Sequence, residues 1–302
     1  MQIDGKELAL SHKGCRFCRL QDEYYEFVQN PADFIRELKV AAKADLFTFL
    51  QEVPDREPKF PFHLEWDSAA VLSLSSYEHW WKKQINDKTR NMVRKSQKTG
   101  VEIRQVEFSD EFVRGIEVIY NESPIRQGRP FKHHGKDFET IRREHATFLD
   151  RSQFFGAYHG SQLIGFVKLV HGRRISNLMN IISMISHRDK APTNGLLAKA
   201  VEVCTSTGVP YLQYGTGNSR SIGDFKKHHA FEEFLVPRYY VPLTWKGSLV
   251  LKSGFHRRLE DRIPEKWRNG LLALRAKWNN IRLPKPNQGG AVAQSAERRA
   301  QA

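Results

Sequence analysis

The sequence holds only three cysteines in 302 residues, too few for the disulfide framework of a small secreted scaffold and in keeping with a reducing compartment. It has no apolar run near the roughly 18 to 20 residues that a membrane span needs. Its opening, MQIDGKELALSHKGCRF, lacks the basic stretch followed by an apolar stretch of a secretory signal. No segment repeats at a solenoid period. No Gly-x-Ser-x-Gly, His-Glu-x-x-His or Walker-type loop occurs, so hydrolase, zinc-protease and nucleotide-hydrolase chemistry have no support. These absences lead us to expect a cytoplasmic protein, at most peripheral to the inner face of the membrane.

What is present is a globular composition, 40% hydrophobic and 27% charged, long enough for one large domain or two small ones. The formal net charge of +14 is concentrated. Residues 77–104 carry eight Lys/Arg against three acids, and residues 246–302 carry thirteen against four, which accounts for the whole excess. Localised positive charge points to nucleic acid, anionic lipid or a phosphorylated cofactor, with a solubilising surface as the plain alternative. Cys15-Arg-Phe-Cys18 has the spacing of half a zinc site. Only His12 is near it and no second such pair exists, so packed or surface thiols are expected. His133 and His134 lack ligand spacing on a helix, and no metal is assigned.

Periodicity predicts a helix over 31–42, with Phe34, Ile35 and Leu38 on one face, then strands over 46–53 and 60–74. A basic helix is expected to run from the cap Ser76 to Gly100, followed by a strand at 101–106. Helices at 112–120 and 138–149 flank a polar loop at 121–137. Residues 154–158 and 163–170 form a hairpin around His159-Gly160-Ser161. A strand at 175–186, a helix at 192–207, a short strand at 211–214, a short helix at 225–229 and a strand pair or extended segment at 234–243 complete the pattern. After Pro264, Trp267, Leu271, Leu274, Trp278 and Ile281 share one helix face. The organisation expected is an N-terminal α/β extension at 1–75, a main domain at 76–245, a basic amphipathic helical segment at 246–282 and a disordered tail at 283–302.

The order of elements over 101–243 carries Gly156-Ala-Tyr-His-Gly-Ser-Gln-Leu-Ile-Gly165 in its middle, a strand ending near His187-Arg188 and a helix opening at Pro192-Thr193. This order resembles the GNAT (acyl-CoA N-acyltransferase) superfamily. Thr89-Arg-Asn-Met-Val-Arg-Lys-Ser-Gln-Lys-Thr-Gly-Val-Glu, with Asp224-Phe-Lys-Lys and Pro237-Arg-Tyr-Tyr-Val-Pro-Leu, is similar to the Fem-type branch over about residues 60–245. Proteins of that branch transfer aminoacyl groups from tRNA onto peptidoglycan precursors.

The resemblance implies an α/β (α+β) fold whose mixed sheet splays open beside the helix that follows its central strand. It implies acetyl-CoA or another acyl-CoA as donor, with aminoacyl-tRNA as the alternative. The acceptor it implies is an amine on a sugar-linked, polysaccharide or peptidoglycan-type envelope precursor. Met184, Ile185, Ser186, Arg188, Lys190, Thr193 and Asn194 match the donor-binding positions, where unpaired N–H groups and a helix dipole attract phosphate. Here HRDKAPTNG stands in place of the family's Arg/Gln-x-x-Gly-x-Gly/Ala loop, with Ala191-Pro192 at an expected glycine.

Amide formation by direct attack needs a base for the amine, a polarised carbonyl and an acid for the leaving group. Glu122 and His187 are the candidate bases, and the resemblance implies Tyr214 as the acid, with Tyr239 and Tyr240 as alternatives. The acceptor side is assigned to Tyr120, Asn121, Arg126, Arg129, Phe131, His134 and Tyr239, most of them in a loop rich in cationic donors suited to a phosphorylated or carboxylated acceptor. The basic segment 248–282 would lie on an anionic membrane or pack on the domain. A non-catalytic protein that keeps the fold while binding RNA or anionic membrane is the reading from a different class.

Overall fold

The computed structural model describes residues 2–41, 44–216 and 223–257. In chain order its elements are β1 (Gln2–Ile3), β2 (Lys6–Lys13), β3 (Cys15–Leu20), α1 (Pro31–Ala41), β4 (Leu46–Leu50), β5 (His63–Ser73), α2 (Tyr77–His79), α3 (Asp87–Lys98), β6 (Val101–Val106), α4 (Asp110–Asn121), β7 (Ile125–Arg126), β8 (Arg129–Pro130), α5 (Phe138–His145), β9 (Ser152–His159), β10 (Gln162–His171), β11 (Ile175–Ser183), α6 (Pro192–Ser206), β12 (Tyr211–Thr216), α7 (Asp224–His228), β13 (Glu232–Pro242) and α8 (Trp245–Lys252). Eleven strands form one mixed sheet in the order β1-β2-β3-β4-β13-β5-β12-β11-β10-β9-β6, while β7 and β8 pair separately. This is the mixed, helix-flanked sheet expected from the sequence.

The first thirty residues hold three strands that periodicity did not reveal. Asp4 and Gly5 both have positive φ, 49° and 69°, the pair of left-handed residues that a tight hairpin turn requires, and Gly14 at 76° turns β2 into β3. The overlooked signal is Asp-Gly followed by the alternation of Leu8 and Leu10. Cys15 and Cys18 lie buried on β3 without a bond between them, and burial pushes the Cys18 thiol up to about 11.

The basic helix is also in two parts rather than one. Ser76 Oγ accepts from His79 N at 3.0 Å to start α2, the chain widens into a π-helical turn over Trp80–Gln84, and Ile85 is extended. Asn86 then caps α3 by accepting from Thr89 N at 2.9 Å. The break is held by Trp80, fully buried, whose Nε1 donates to His229 O at 3.3 Å. The final segment, expected as a strand pair or extended chain, is the single strand β13.

Two large apolar clusters, and a smaller third around Leu50, Val71 and Val236, form on this sheet. Helices α3 to α6 cover β6 and β9 to β12, burying Trp80, Ile116, Phe155, Phe166 and Leu196. Helix α1 covers β2 to β4 and β13 through Phe34, Leu38, Phe47 and Phe49. Each such large side chain contributes about 1.5–3 kcal/mol when fully buried. The sheet is continuous across residue 75, because β13 pairs with both β4 (Tyr240↔Thr48) and β5 (Tyr240↔His63).

Between β11 and β12 the sheet opens. The two strands pair in parallel only at Ile175↔Tyr211, Ser176↔Leu212 and Asn177↔Gln213. Beyond that point β12 stays with β5, as far as Thr216↔Ala69, while β11 stays with β10, as far as Ser183↔Gly165. A wedge therefore opens toward the C-terminal ends of both strands. Among the described residues no helix is long and apolar enough to cross a membrane. The amphipathic helix expected after Pro264 and the tail at 283–302 lie outside the described residues.

Candidate functional site

Three segments meet at the mouth of the wedge: the end of β11, the start of α6 and the C-terminal end of α4. Helix α6 begins with Pro192, whose missing N–H costs nothing in a first turn. Ala191 before it has φ 55°, and no side chain caps the helix. The backbone thus adopts the left-handed turn that a glycine would take at lower cost, at the position where the GNAT pattern has one. Ser183 Oγ and Thr193 Oγ1, 2.7 Å apart, pin the strand end to the helix start.

Glu122, the C-cap of α4, reaches across to the loop after β11. Its Oε2 accepts from Ile185 N at 2.6 Å, and its Oε1 accepts from Ser186 N at 2.8 Å and Ser186 Oγ at 2.6 Å. Arg126 backs this arrangement: one terminal nitrogen donates to Ser183 O at 2.7 Å, and the other to Ile119 O at 2.9 Å and Glu122 Oε2 at 3.4 Å. Its guanidinium lies 4.4 Å from the centre of the Phe131 ring. Burial works against ionisation of Glu122, but the bonds from Ser186 and Ile185 and the Arg126 charge outweigh it and hold the carboxyl below its ordinary range. Glu122 is therefore a firmly ionised group and a weak base.

Ser186 Oγ also lies 3.1 Å from His187 Nδ1. The serine has one hydroxyl proton, and the shorter contact assigns it to Glu122. The histidine is then the donor in the second contact, carrying its proton on Nδ1 and presenting a lone pair at Nε2. The half-buried His187 ring faces His159 at 6.0 Å between centroids.

Tyr214 follows the last residue of β12 that pairs with β11. Its ring packs against Phe225 and Phe231 at 6.5 and 5.8 Å, with Lys226 Nζ 4.7 Å from its centre. Burial pushes the phenol up to about 12, so it is protonated at neutral pH and gives up its proton less readily than an exposed tyrosine. Met184 is buried, with its N–H on Ile164 O at 2.8 Å, whereas Arg188 is exposed and Lys190 pairs with Asp189 at 3.4 Å. Asn194 lies in the first turn of α6, its N–H on Ala191 O at 3.0 Å. Helix α3 closes on the same region, since Thr99 Oγ1 lies 3.4 Å from Lys190 O and a Cβ on Gly195 would sit 2.8 Å from Ser96 Oγ. Lys95 and Lys98, exposed on α3, thereby join Arg188 and Lys190 around the start of α6.

Not every residue assigned from sequence reaches this place. Tyr239 belongs to the other large apolar cluster, its hydroxyl donating to Gln51 Oε1 at 2.8 Å and accepting from Lys59 N at 2.8 Å. Tyr120 is fully buried with its hydroxyl 3.0 Å from His145 Nε2, so it shapes the loop from inside. Asn121 closes the loop by accepting from Gly135 N at 2.7 Å and donating to Lys136 O at 3.3 Å. Arg129 and His134 are exposed on it, and Phe131 is half-buried beneath Arg126. Sequence reading missed Gln213, which sits at the last β11–β12 pair with both amide atoms buried and unpartnered. Its signal was a lone amide in an otherwise apolar strand. A separate cleft of about 290 Å³, lined by Lys6, Tyr25, Glu26, Arg151 and His171 among others, opens at the start of β11, at the other end of that strand from Ser183.

No protein-family model matches the chain, and no curated protein matches it. Solved structures do. FemX aligns over 83% of this chain and 88% of its own, with a TM-score of 0.55 at 11% identity. The C-terminal DUF2156 domain of an Agrobacterium fabrum protein described as a lysylphosphatidylglycerol synthetase aligns over 82% and 84%, with a TM-score of 0.54 at 13% identity. L-PGS from Bacillus licheniformis aligns over 84% and 87%, with a TM-score of 0.52 at 12% identity. Likeness at such identity is likeness of fold, and it spans more of the chain than the resemblance in sequence did. The chain has the GNAT-like fold shared by FemX and these synthetase domains.

Proposed function

We propose that the chain is an amide-forming acyltransferase whose reaction takes place at the mouth of the β11–β12 wedge. The observation that carries this reading is the relay Glu122–Ser186–His187, which fixes a histidine tautomer beside an uncapped helix start. In this reading His187 Nε2 takes the proton from the attacking amine. Glu122 acts through Ser186 as a positioning residue, and Tyr214 returns a proton to the leaving group. The phosphates of an acyl-CoA would meet the first turn of α6 with Arg188, Lys190, Thr193 and Asn194 around it. The acceptor we propose is an amine on an envelope or polysaccharide precursor, approached past the exposed Arg129, Lys132 and His134.

Aminoacyl-tRNA is the second donor, favoured by one observation. The exposed Lys82, Lys83, Lys88, Arg94, Lys95 and Lys98 form a cationic run along the segment that ends, at Thr99, by the start of α6, and this run is longer than a single cofactor needs. Thermal-shift titration with CoA, acetyl-CoA and longer acyl-CoAs, followed by the same measurement with charged tRNA, separates the donors. Saturable stabilisation by an acyl-CoA supports the first, and stabilisation by charged tRNA alone moves the donor to the second. A chain that binds neither and releases no acyl group to any amine is not a transferase.

A further inference from the structure

His63 and Glu65 stand two residues apart on β5, so both side chains fall on the same face of the strand. The turn after α8 brings His256 onto that face. His256 Nε2 lies 2.7 Å from Glu65 Oε1, and His63 Nε2 lies 3.7 Å from the same oxygen. One potential ligand atom from each of the three residues falls within 4.8 Å of the other two. The His256 side chain is only 1% exposed, backed by the Tyr240 ring at 4.8 Å, and its Nδ1 has no hydrogen-bond partner. A surface ion pair explains Glu65 with Arg257, whose Nε is 2.9 Å away. It does not explain an imidazole withdrawn from water on the strength of one hydrogen bond at Nε2, where a metal–nitrogen bond would be the stronger interaction; Nδ1 is unpartnered in either state.

We propose that His63, Glu65 and His256 form a binding site for a divalent transition-metal ion of the zinc class, sharing no residue with the transfer site. Two imidazoles and one carboxylate are a zinc donor set, and bond lengths near 2.0–2.2 Å place the ligand atoms about 3.3 Å apart in a tetrahedron. The two separations from Glu65 Oε1, 2.7 and 3.7 Å, bracket that value, and the two imidazoles, within 4.8 Å of each other, close by up to about 1.5 Å to complete the geometry. The Arg257 side chain, 56% exposed, yields its place on Oε1 to the incoming cation. His63, 44% exposed, faces water, which supplies the fourth ligand. Bound there, the ion clips the turn after α8 onto β5.

The test uses the full chain after chelator treatment and dialysis. Zinc titration by calorimetry should show a site of about micromolar or tighter affinity, and cobalt at the same site should give the visible d–d absorption of tetrahedral coordination. His63→Ala, a change at an exposed position that leaves the fold intact, and Glu65→Gln should each weaken that affinity at least about tenfold and abolish the cobalt bands. His134→Ala should leave both unchanged. Absence of a zinc site in the wild-type chain overturns the proposal, and so does a site that His63→Ala leaves intact.

Discussion

A carboxylate that already accepts four hydrogen bonds has little affinity for another proton, and in the proposed reaction this favours His187 over Glu122 as the base. Sequence offered them as alternative bases because Glu122 lies 64 positions before the serine that joins them in one relay. His187→Ala should lower turnover by about 10²–10⁴-fold with the donor KM little changed. Glu122→Gln, which removes the orienting charge, should cost less, about 10–100-fold. Steady-state kinetics with both variants checks this, and a Glu122→Gln loss as deep as that of His187→Ala would return the base to Glu122. Tyr239 shows the opposite limit: nothing local distinguishes a tyrosine at a site from one whose hydroxyl is taken by Gln51, 188 residues away. A second residue-scale consequence concerns Lys168, fully buried in mid-sheet and donating to His145 O and Thr147 Oγ1, both at 3.0 Å, and to Thr147 O. Burial pulls its ammonium down to about 8. Between that value and the unfolded value near 10.4, the unfolded chain holds a proton that the folded chain has released, so stability rises with pH across this window. Chemical denaturation from pH 8 to 10 should show a gain of roughly 2–3 kcal/mol that Lys168→Met lacks.

At the scale of elements, the hairpin of β9 and β10, helix α6 and strand β6 were legible because apolar spacing alone sets them. The boundaries that failed were set by distant partners. Sequence carried β11 on to residue 186, but it stops at Ser183 because Glu122 takes the N–H groups of Ile185 and Ser186 away from any ladder. The basic helix breaks where Trp80 must reach His229 O, an anchor that no window of local sequence contains. Helix α8 gives the sharpest prediction of this kind. Its Gly247 touches the start of β4 so closely that a Cβ would lie 1.9 Å from Asp45 O. That carbonyl also accepts from Leu243 N at 2.8 Å, so it has no room to move. Gly247→Ala should therefore displace α8 and destabilise the chain by about 1–3 kcal/mol, which a urea melt would read as a lower midpoint.

For the whole molecule, the segment before α1 is bound into the sheet by Arg238. Its guanidinium meets Glu23 at 2.9 and 3.1 Å and Asp67 at 2.8 and 3.0 Å, with Thr48 Oγ1 at 3.3 Å. These carboxylates and the desolvated cation are a unit, and removing the cation leaves Asp67 without its ion pair and the buried Glu23 with only the half-exposed Arg19, 2.9 Å away. Arg238→Met should cost about 3–5 kcal/mol and lower Tm by on the order of 10 °C, measurable by calorimetry. The sequence showed Arg238 only as part of a motif in a C-terminal strand. It could not show that this strand is inserted between β4 and β5, the pairing that makes one sheet of eleven strands. That insertion puts a clock on biogenesis. Tyr239 meets its partner on the stretch following β4 only after 188 further residues have been synthesised, which at 5–20 residues per second takes roughly 10–40 s. Until then β4 and β5 each present an unpaired edge, so the nascent chain is most vulnerable to association with its neighbours just before β13 emerges.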